Sequence, residues 1–477
     1  MHFAVGVTLA VLASIGTAFA ASNERVLGVY VFHRHGDRTA KSWAPVNLTA
    51  LGADEVHRSG TYYRSRYISA DASNNIEGVS PDVPLLAQLS VSAPEDAVLH
   101  NSAAAFVQAL YPPNGASETL ANGTKLEAPL GGYQYVPVDA VTADVTGKAA
   151  ESSAWLQGSS NCNNAIVSSN QYFASAEYAS TAKDSAAFYK TLLPVINGTF
   201  NSSTAIFRNA YTIWDLINVA TIHNSSIHAD SLLTDETLSR SFDLASRHEW
   251  NLAYNSSDPV RAISGAVLAG QILNALQSIV NGTAGSPKFN VQFGSYGAFM
   301  AFFGLAQLQK DYDNFYGITD YASSMAFEVY TMSTSSKPNT DQIQVRFLYS
   351  NGTASDSNLK QFALFGKDSQ SWSDFQSGMS KFALTSTDQW CKMCGGTSGQ
   401  CATTSPDQGD GNTKTSFSHG NGISKPVAGV IGALVTLAVI LGLEMLVMVV
   451  GGIRLVRKRK ANAIDKGSED GSADKAN

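Results

Sequence analysis

One stretch constrains the fold more than any other: an apolar run at residues 26–32 is followed at once by the charged sequence His33-Arg34-His35-Gly36-Asp37-Arg38. The run is rich in β-branched and aromatic residues and predicts a strand buried on both faces, as in a parallel or mixed sheet. Gly36 gives the backbone freedom where the charges begin. Polar side chains at the carboxyl end of such a strand lie in the crevice where α/β proteins bind their ligands.

The charged cluster has the composition of a phosphoryl-transfer site. Arg34 and Arg38 offer planar guanidinium groups whose paired donors suit phosphate oxygens. His35 lies between them, and a neutral imidazole can attack phosphorus or transfer a proton. The alternative, a basic surface turn, fits less well because a buried strand leads directly into the cluster.

The sequence Arg34-His35-Gly36-Asp37-Arg38-Thr39 resembles the signature of the histidine acid phosphatases, the branch of the histidine phosphatase superfamily that includes fungal secreted acid phosphatases and phytases. The similarity covers roughly residues 24–395 and is strongest at the start. Further matching positions are Leu48-Thr49-Ala50-Leu51-Gly52, Gly60, Arg64, Tyr67, Ser102-Ala103, Leu110-Tyr111-Pro112-Pro113, Ile263-Ser264-Gly265 and Phe303-Gly304-Leu305.

The resemblance implies an α/β fold with a central mixed sheet flanked by helices, a phosphoglycerate mutase-like core, and a mainly helical cap inserted into it. It also implies roles for the signature residues. His35 would be the catalytic residue that becomes phosphorylated, and Arg34 and Arg38 would hold the phosphate. The chemistry calls for no cofactor and no metal, because arginines supply the positive charge.

The chain departs from the family pattern at three places. Ala40 stands where the signature usually ends in proline. Val98 falls where the family has a third phosphate-binding arginine. The family's His-Asp pair, which supplies the general acid, aligns by counting with Gln292-Phe293, and no His-Asp dipeptide occurs in the chain. Asp37 and Asp96 are the candidate substitutes for the missing acid.

The two ends of the chain predict a membrane-anchored protein. Residues 1–20 predict a secretory signal peptide, with Ala18-Phe19-Ala20 as the cleavage site; an uncleaved anchor is the alternative, and the run is short for one. Residues 427–453 are apolar apart from Glu444 and predict a transmembrane helix.

Five basic residues follow the predicted transmembrane helix: Arg454, Arg457, Lys458, Arg459 and Lys460. They predict a cytoplasmic tail at 454–477, which makes the chain a single-pass type I membrane protein that reaches the cell surface with its body outside. A lipid-anchor signal is the alternative, but such signals end in the apolar run itself. Residues 402–426 are rich in Gly, Ser and Thr and predict a flexible stalk.

The body carries features of an oxidising, glycosylating compartment. Eight Asn-x-Ser/Thr sequences predict glycosylation, at Asn47, Asn122, Asn197, Asn201, Asn224, Asn255, Asn281 and Asn351. Four cysteines predict disulfide bonds, at Cys162, Cys391, Cys394 and Cys401, with three full pairings open. Zinc or redox chemistry at Cys391-x-x-Cys394 is the alternative, but no second such pair or pair of histidines lies nearby.

The histidine phosphatase-like domain is predicted at 21–401. Its core is expected at about 22–113 and 255–390, with the helical cap at about 114–254, where the sequence is rich in Ser, Asn and Ala. His223 and His228 in the cap are read as surface residues in preference to metal ligands. The run Arg247-His248-Glu249 is likewise read as structural.

Three functions remain open on the sequence. The first is a membrane-anchored phosphomonoesterase that acts through a phosphohistidine on His35. The second is a catalytically weak or inactive surface glycoprotein that binds a phosphate-bearing ligand in the same pocket, because the third arginine and the general acid are missing. The third is a structural surface protein. The net charge of −7, without a basic cluster in the body, argues against nucleic acid as a partner.

Overall fold

The structure is a computed structural model that describes residues 24–141, 161–227, 231–397 and 401. The predicted signal peptide, stalk, transmembrane helix and tail lie outside these residues, and so does His228.

The described residues form ten strands and thirteen helices. The strands are β1 (Arg25–Arg34), β2 (Leu89–Pro94), β3 (Ser117–Thr119), β4 (Lys125–Glu127), β5 (Asp139–Val141), β6 (Phe289–Gly294), β7 (Ser324–Thr331), β8 (Ile343–Ser350), β9 (Lys360–Phe362) and β10 (Ser369–Ser371). The helices are α1 (Ala50–Tyr63), α2 (Leu99–Leu110), α3 (Pro129–Gly132), α4 (Asn163–Tyr172), α5 (Ala176–Thr191), α6 (Leu193–Ile196), α7 (Ala210–His223), α8 (Asp235–Ala253), α9 (Ile263–Val280), α10 (Tyr296–Ala306), α11 (Ala354–Ser357), α12 (Trp372–Met379) and α13 (Thr387–Cys394).

Eight strands form one mixed sheet in the order β10-β8-β7-β1-β6-β2-β5, with β9 paired to β8. Strand β1 runs parallel to β6 and antiparallel to β7. Strand β2 continues the parallel half beside β6 and β5. The carboxyl end of β1 therefore lies beside the carboxyl end of β6, which is where ligand sites form in sheets of this kind.

Strand β1 is buried on both faces, as its apolar run predicts. Tyr30 and Phe32 belong to the hydrophobic core on one side of the sheet, and Val29 and Val31 to the core on the other. The alternation follows from the two-residue period of a strand. The predicted fold class, a central mixed sheet flanked by helices with a mainly helical cap, is confirmed.

Helices cover both faces of the sheet. Helices α9, α10 and α12 pack on the face that includes Phe32, and α1 and α2 pack on the opposite face. Within the described residues, one helical stretch, Pro259–Val280, is long and apolar enough to cross a membrane. It contains α9, and its residues are mostly buried in the core, as expected for the central helix of a globular domain.

Helices α4 to α8 lie between the two parts of the core sequence. A separate hydrophobic cluster holds α5 to α8 together, with Tyr189, Leu192, Phe207 and Ile213 at its centre. All four cysteines are disulfide-bonded, in the pairs Cys162–Cys394 and Cys391–Cys401. The first bond ties the start of α4 to the end of α13. Because Cys391 and Cys394 bond to different partners, they do not form a zinc or redox pair.

Candidate functional site

The charged cluster begins at the end of β1, and two glycines allow its backbone to pack against α1. A Cβ atom on Gly36 would lie 2.1 Å from the carbonyl oxygen of Gly52, and one on Gly52 would lie 2.0 Å from the carbonyl oxygen of Asp37. No side chain fits at either position. Gly36 has no left-handed backbone conformation, so the sequence needs glycine there for close approach and not for conformational freedom.

Arg34 is a buried cation with unused donors. Its side chain is almost fully buried, and Nη1 donates to the carbonyl oxygen of Thr319. Nε and Nη2 have no hydrogen-bond partner. Buried donors are nearly always satisfied in folded proteins, and leaving one unmade costs about 1–3 kcal/mol. Two such donors on one guanidinium indicate a place for an anion.

Arg38 is equally buried but is largely occupied by the cap. Nη2 lies 2.6 Å from Asp215 Oδ1 and donates to the hydroxyl of Tyr211 at 2.8 Å. Nη1 lies 3.2 Å from Asp215 Oδ2 and donates to the carbonyl oxygen of Thr39 at 3.0 Å. Only Nε has no partner. Arg38 is therefore an anchor for α7, which carries Tyr211 and Asp215, and keeps one donor for a ligand.

His35 has the geometry of a nucleophile. Its Nδ1 lies 2.7 Å from the carbonyl oxygen of Gly36. A neutral ring therefore carries its proton on Nδ1, where it donates to that oxygen, and has its lone pair on Nε2. Burial, together with the charges of Arg34 and Arg38, holds the pKa of His35 well below its usual range, so the imidazole stays neutral.

The three signature residues surround one aromatic ring. The ring centroid of Tyr321 lies 5.6 Å from that of His35, 4.6 Å from the Arg34 guanidinium carbon and 5.9 Å from the Arg38 guanidinium carbon. The predicted site residues thus come together in one cluster. Loops and strands that are far apart in sequence supply it, since Tyr321 precedes β7 and the signature follows β1.

A cavity of about 490 Å³ opens beside this cluster, and His35 lines it. Arg34 and Arg38 do not line it. The Arg34 guanidinium lies over the ring of Tyr296 at 5.3 Å, and Arg38 donates to Tyr211; both tyrosines form part of the cavity wall. The cavity therefore presents the nucleophile directly, and each arginine contacts a tyrosine that lines it.

His33 and Asp37, the neighbours of the site residues, have structural roles. His33 points into the core, where its ring lies 4.9 Å from Phe293, and burial lowers its pKa to about 4. Asp37 is fully buried; it accepts from the hydroxyl of Thr49 and lies 2.6 Å from Nε2 of His223. His223, which the sequence placed on the surface, is half exposed and links the end of α7 to the signature loop.

None of the substitutes that the sequence offered for the missing acid faces the cavity. Asp37 faces Thr49 and His223, and Asp96 accepts from the backbone amides of Val98 and Leu99 at the start of α2. Gln292 and Phe293 lie inside β6, two and one residues before its end. Gln292 accepts from Tyr30, and Phe293 packs in the core. The residues of this segment that reach the cavity are Ser295, Tyr296 and Gly297.

Val98 gives no replacement for the third arginine. It is the last residue before α2 and is buried. A further cation near the site is Lys41, which lines the cavity and helps to lower the pKa of His35. Lys41 lies only three residues after Arg38, but no sequence pattern marks it as a site residue.

Glu249 is the carboxyl group of the cavity wall. Its Oε2 accepts from the hydroxyl of Tyr296 at 2.9 Å, and its Oε1 lies 2.8 Å from Nδ1 of His248. The sequence predicts a structural role for Arg247-His248-Glu249, but the structure places Glu249 in the cavity wall. Asp215 was also missed. The sequence could have indicated it, because Asp215 is a carboxylate among the apolar residues of α7. A charge in such a helix is buried and therefore requires a partner.

Among the residues that the structure describes, no group of three or more His, Cys, Asp or Glu side chains could hold a metal ion. The site combines guanidinium and ammonium groups with a neutral imidazole, and the Glu249 carboxyl group lies in the same cavity wall. Such a set can bind a phosphoryl group and attack it.

Comparison with known proteins agrees with this geometry. The family model of the histidine phosphatase superfamily (branch 2) matches residues 42–350. The match starts just after the signature. No protein with a curated description matches the chain significantly.

Two solved structures share the fold. The phytase from Citrobacter braakii has 14% sequence identity and a TM-score of 0.51, over 78% of this chain and 99% of that chain. The Hafnia alvei phytase in complex with tartrate has 11% identity and a TM-score of 0.50, over 76% and 98%. Because the family model covers more than half of the residues, the resemblance noted in the sequence is confirmed, and the chain belongs to the histidine phosphatase superfamily (branch 2).

Proposed function

We propose that this protein is a phosphomonoesterase that acts through a phosphohistidine on His35. One observation carries the proposal: a neutral histidine lines a cavity beside Arg34, whose Nε and Nη2 are buried donors without partners. An anionic phosphoryl group satisfies these donors and brings its phosphorus next to the lone pair of His35. Family membership supports phosphoric monoester hydrolysis as the reaction class.

The reaction proceeds in two steps. The Nε2 lone pair of His35 attacks phosphorus, so that an N–P bond forms while the ester P–O bond breaks. Arg34, the free Nε donor of Arg38 and the nearby Lys41 offset the charge on the phosphoryl oxygens. Water then attacks the phosphohistidine, inorganic phosphate leaves, and His35 returns to its neutral form.

We assign Glu249 as the general acid that protonates the leaving oxygen. It is the carboxyl side chain in the wall of the cavity that His35 also lines. The Tyr296 hydroxyl and His248 orient it. In the first step its proton passes to the ester oxygen as the P–O bond breaks, and in the second step the carboxylate takes a proton from the attacking water.

The test is phosphatase activity of the full-length protein, purified in detergent and assayed from acid to neutral pH. Wild type should hydrolyse a phosphomonoester and, when quenched during turnover, carry phosphate on histidine. His35→Ala should show neither, while the exposed His57→Ala should match wild type. A wild type without hydrolysis and without phosphohistidine contradicts the proposal.

The second candidate, a binder of phosphate-bearing ligands, is favoured by Val98 and by the Asp215 carboxylate on Arg38. Both leave less positive charge for a transition state than the family pattern has. A binder should be protected against heat by phosphate, vanadate or sulfate. It should keep that protection in His35→Ala and show no turnover.

We further propose that the body lies outside the cell and that one C-terminal helix anchors it. All eight sequence sites for glycosylation lie in the described residues; Asn255 is half buried and the other seven asparagines are exposed, which suits glycan attachment. Glycosidase treatment should lower the apparent mass, and protease added to intact cells should remove the body. Resistance of the body to external protease, on protein shown to reach the surface, contradicts this orientation.

A further inference from the structure

Part of the cavity wall is apolar. Helices α4, α8 and α10 contribute the following side chains to it: Ala165, Ile166, Leu252, Ala253, Ala298 and Met300. Ile166 is 44% exposed although it belongs to this wall. An apolar surface that remains open beside a polar site is suited to the apolar part of a ligand.

The positive charge around His35 matches one phosphate group. Arg34 forms no ion pair among the described residues, whereas Arg38 is paired with Asp215. The wall also contains a further arginine, Arg261.

Arg261 is also held in place. Its Nη1 donates to the carbonyl oxygen of Asn251 at 2.8 Å, and its Nη2 and Nε donate to the carbonyl and hydroxyl oxygens of Ser168. Among the described residues that line the cavity, no second group of cations is therefore available for a further phosphate.

We propose that the substrate is a monophosphate ester whose alcohol has an apolar alkyl or aryl body, and that polyphosphates are poor substrates. This inference rests on the proposed function, because the phosphate end is placed at His35. The alcohol then extends along Ile166, Leu252 and Met300. A volume of about 490 Å³ is enough for a body of several carbon atoms beside the phosphate.

The test uses ethyl, butyl and hexyl phosphate with the full-length protein, together with myo-inositol hexakisphosphate. Alkyl esters have similar leaving groups, so differences between them report on binding of the body. kcat/KM should rise about two- to fourfold per added methylene, because burial of each one is worth up to about 0.8 kcal/mol. The hexakisphosphate should be the poorest substrate.

A matched pair of variants locates the effect. Ile166→Gln should flatten the rise with chain length, because its side chain lines the cavity. Val167→Gln, one residue on in the same helix and 50% exposed outside the cavity, should keep the rise. A flat series in wild type, an equal effect of both variants, or hexakisphosphate turned over as well as hexyl phosphate overturns the inference.

Binding of the corresponding alkylphosphonates, which cannot be hydrolysed, separates this inference from the proposed function. If no ester is turned over but protection against heat rises with alkyl length, the proposed catalysis at His35 is wrong and the proposed ligand class is supported. If esters are turned over and neither activity nor protection depends on alkyl length, the proposed ligand class is wrong and the proposed function is supported.

Discussion

Two histidines two residues apart in one strand end have opposite environments. His33 points into the hydrophobic core, and His35 lines the cavity. The alternation of a strand explains why they differ from the residue between them, Arg34, but not why only His35 lines the cavity. The difference arises because β1 ends at Arg34, so that His35 already belongs to the loop.

His33 should make the protein less stable in acid. Its pKa is about 4 when folded and 6.5 when unfolded, so the unfolded chain binds the proton more readily between these values. The free energy of unfolding should therefore fall as pH decreases from about 6.5 to 4, by about 3 kcal/mol from this residue alone. His33→Phe, which keeps the aromatic packing, should show a smaller fall in melting temperature over this range.

The exposed His57 on α1 provides the control for that experiment. His57→Phe should retain the pH dependence of wild type. An unchanged pH dependence in His33→Phe would show that other groups cause the acid sensitivity.

Glu249→Gln should separate leaving groups by their need for a proton. Hydrolysis of an alkyl phosphate should fall about 10²–10⁴-fold, because general acid–base catalysis is worth that much. Hydrolysis of p-nitrophenyl phosphate should fall much less, because nitrophenolate leaves without a proton. Glu177→Gln on the exposed side of the cap should affect neither substrate. An equal loss on both substrates would assign Glu249 a role in binding or folding.

The sequence could identify the nucleophile and the arginines, because all of them lie in one short segment. It could not identify Asp215 or Glu249. Their contacts join residues separated by 177 and 47 positions, to Arg38 and Tyr296 respectively. No local pattern carries that information. A count along the chain also placed the acid in Gln292-Phe293, which the structure shows inside β6.

At the scale of elements, α7 holds the signature loop from the cap side. Tyr211 and Asp215 contact Arg38, and His223 contacts Asp37. Burial raises the pKa of Tyr211 above its usual range, so its hydroxyl keeps its proton. The helix therefore fixes both the position of Arg38 and the packing of cap on core.

Asp215→Ala should destabilise the fold strongly. Arg38 would remain buried without its partner, and removal of one member of a buried ion pair costs about 3–5 kcal/mol. Asp243→Ala, an exposed carboxylate on α8, should change the free energy of unfolding by less than about 0.5 kcal/mol. Thermal unfolding of the two variants measures the difference, and similar melting temperatures would mean that Arg38 finds another anion or water.

Gly52→Ala should damage the site through the backbone. The new Cβ would lie 2.0 Å from the carbonyl oxygen of Asp37, so the loop or α1 must move. We expect a loss of about 1–3 kcal/mol in stability and a loss of turnover in the protein that remains folded. Gly198→Ala, where nothing lies within 4 Å of the new Cβ, is the control. A fully active Gly52→Ala enzyme would contradict the role assigned to this contact.

The apolar patterns predicted the main elements well, because burial on the sheet dictates them. The apolar run at 26–32 lies in strand β1, and the apolar periodicity of the sequence from Thr49, over 213–222 and over 261–280 predicts the helices α1, α7 and α9. Boundaries are less predictable. The apolar pattern at 86–91 predicts a strand, but 86–88 forms a 3₁₀ turn and β2 occupies Leu89–Pro94. The reason for the wrong boundary is Leu86, which is exposed in the turn. An apolar residue just before a strand extends the apolar pattern of that strand.

At the scale of the whole molecule, the disulfides were predictable but their pairing was not. Four cysteines allow three pairings, and the fold selects one by bringing the start of α4 to the end of α13. The Cys162–Cys394 bond joins positions 232 residues apart, whereas Cys391–Cys401 joins positions 10 residues apart. The long bond holds α4, and α4 forms part of the cavity wall.

The two bonds should therefore differ in what their removal does. A cross-link over a longer loop restricts the unfolded chain more, and a native disulfide is typically worth about 2–5 kcal/mol. Replacing Cys162 and Cys394 by Ala should lower the melting temperature more than replacing Cys391 and Cys401 by Ala. It should also weaken the dependence of kcat/KM on alkyl length, because α4 carries Ile166 and loses its covalent tie. A larger loss of stability on removing the short bond would show that local packing, and not restriction of the unfolded chain, determines the effect of these disulfides.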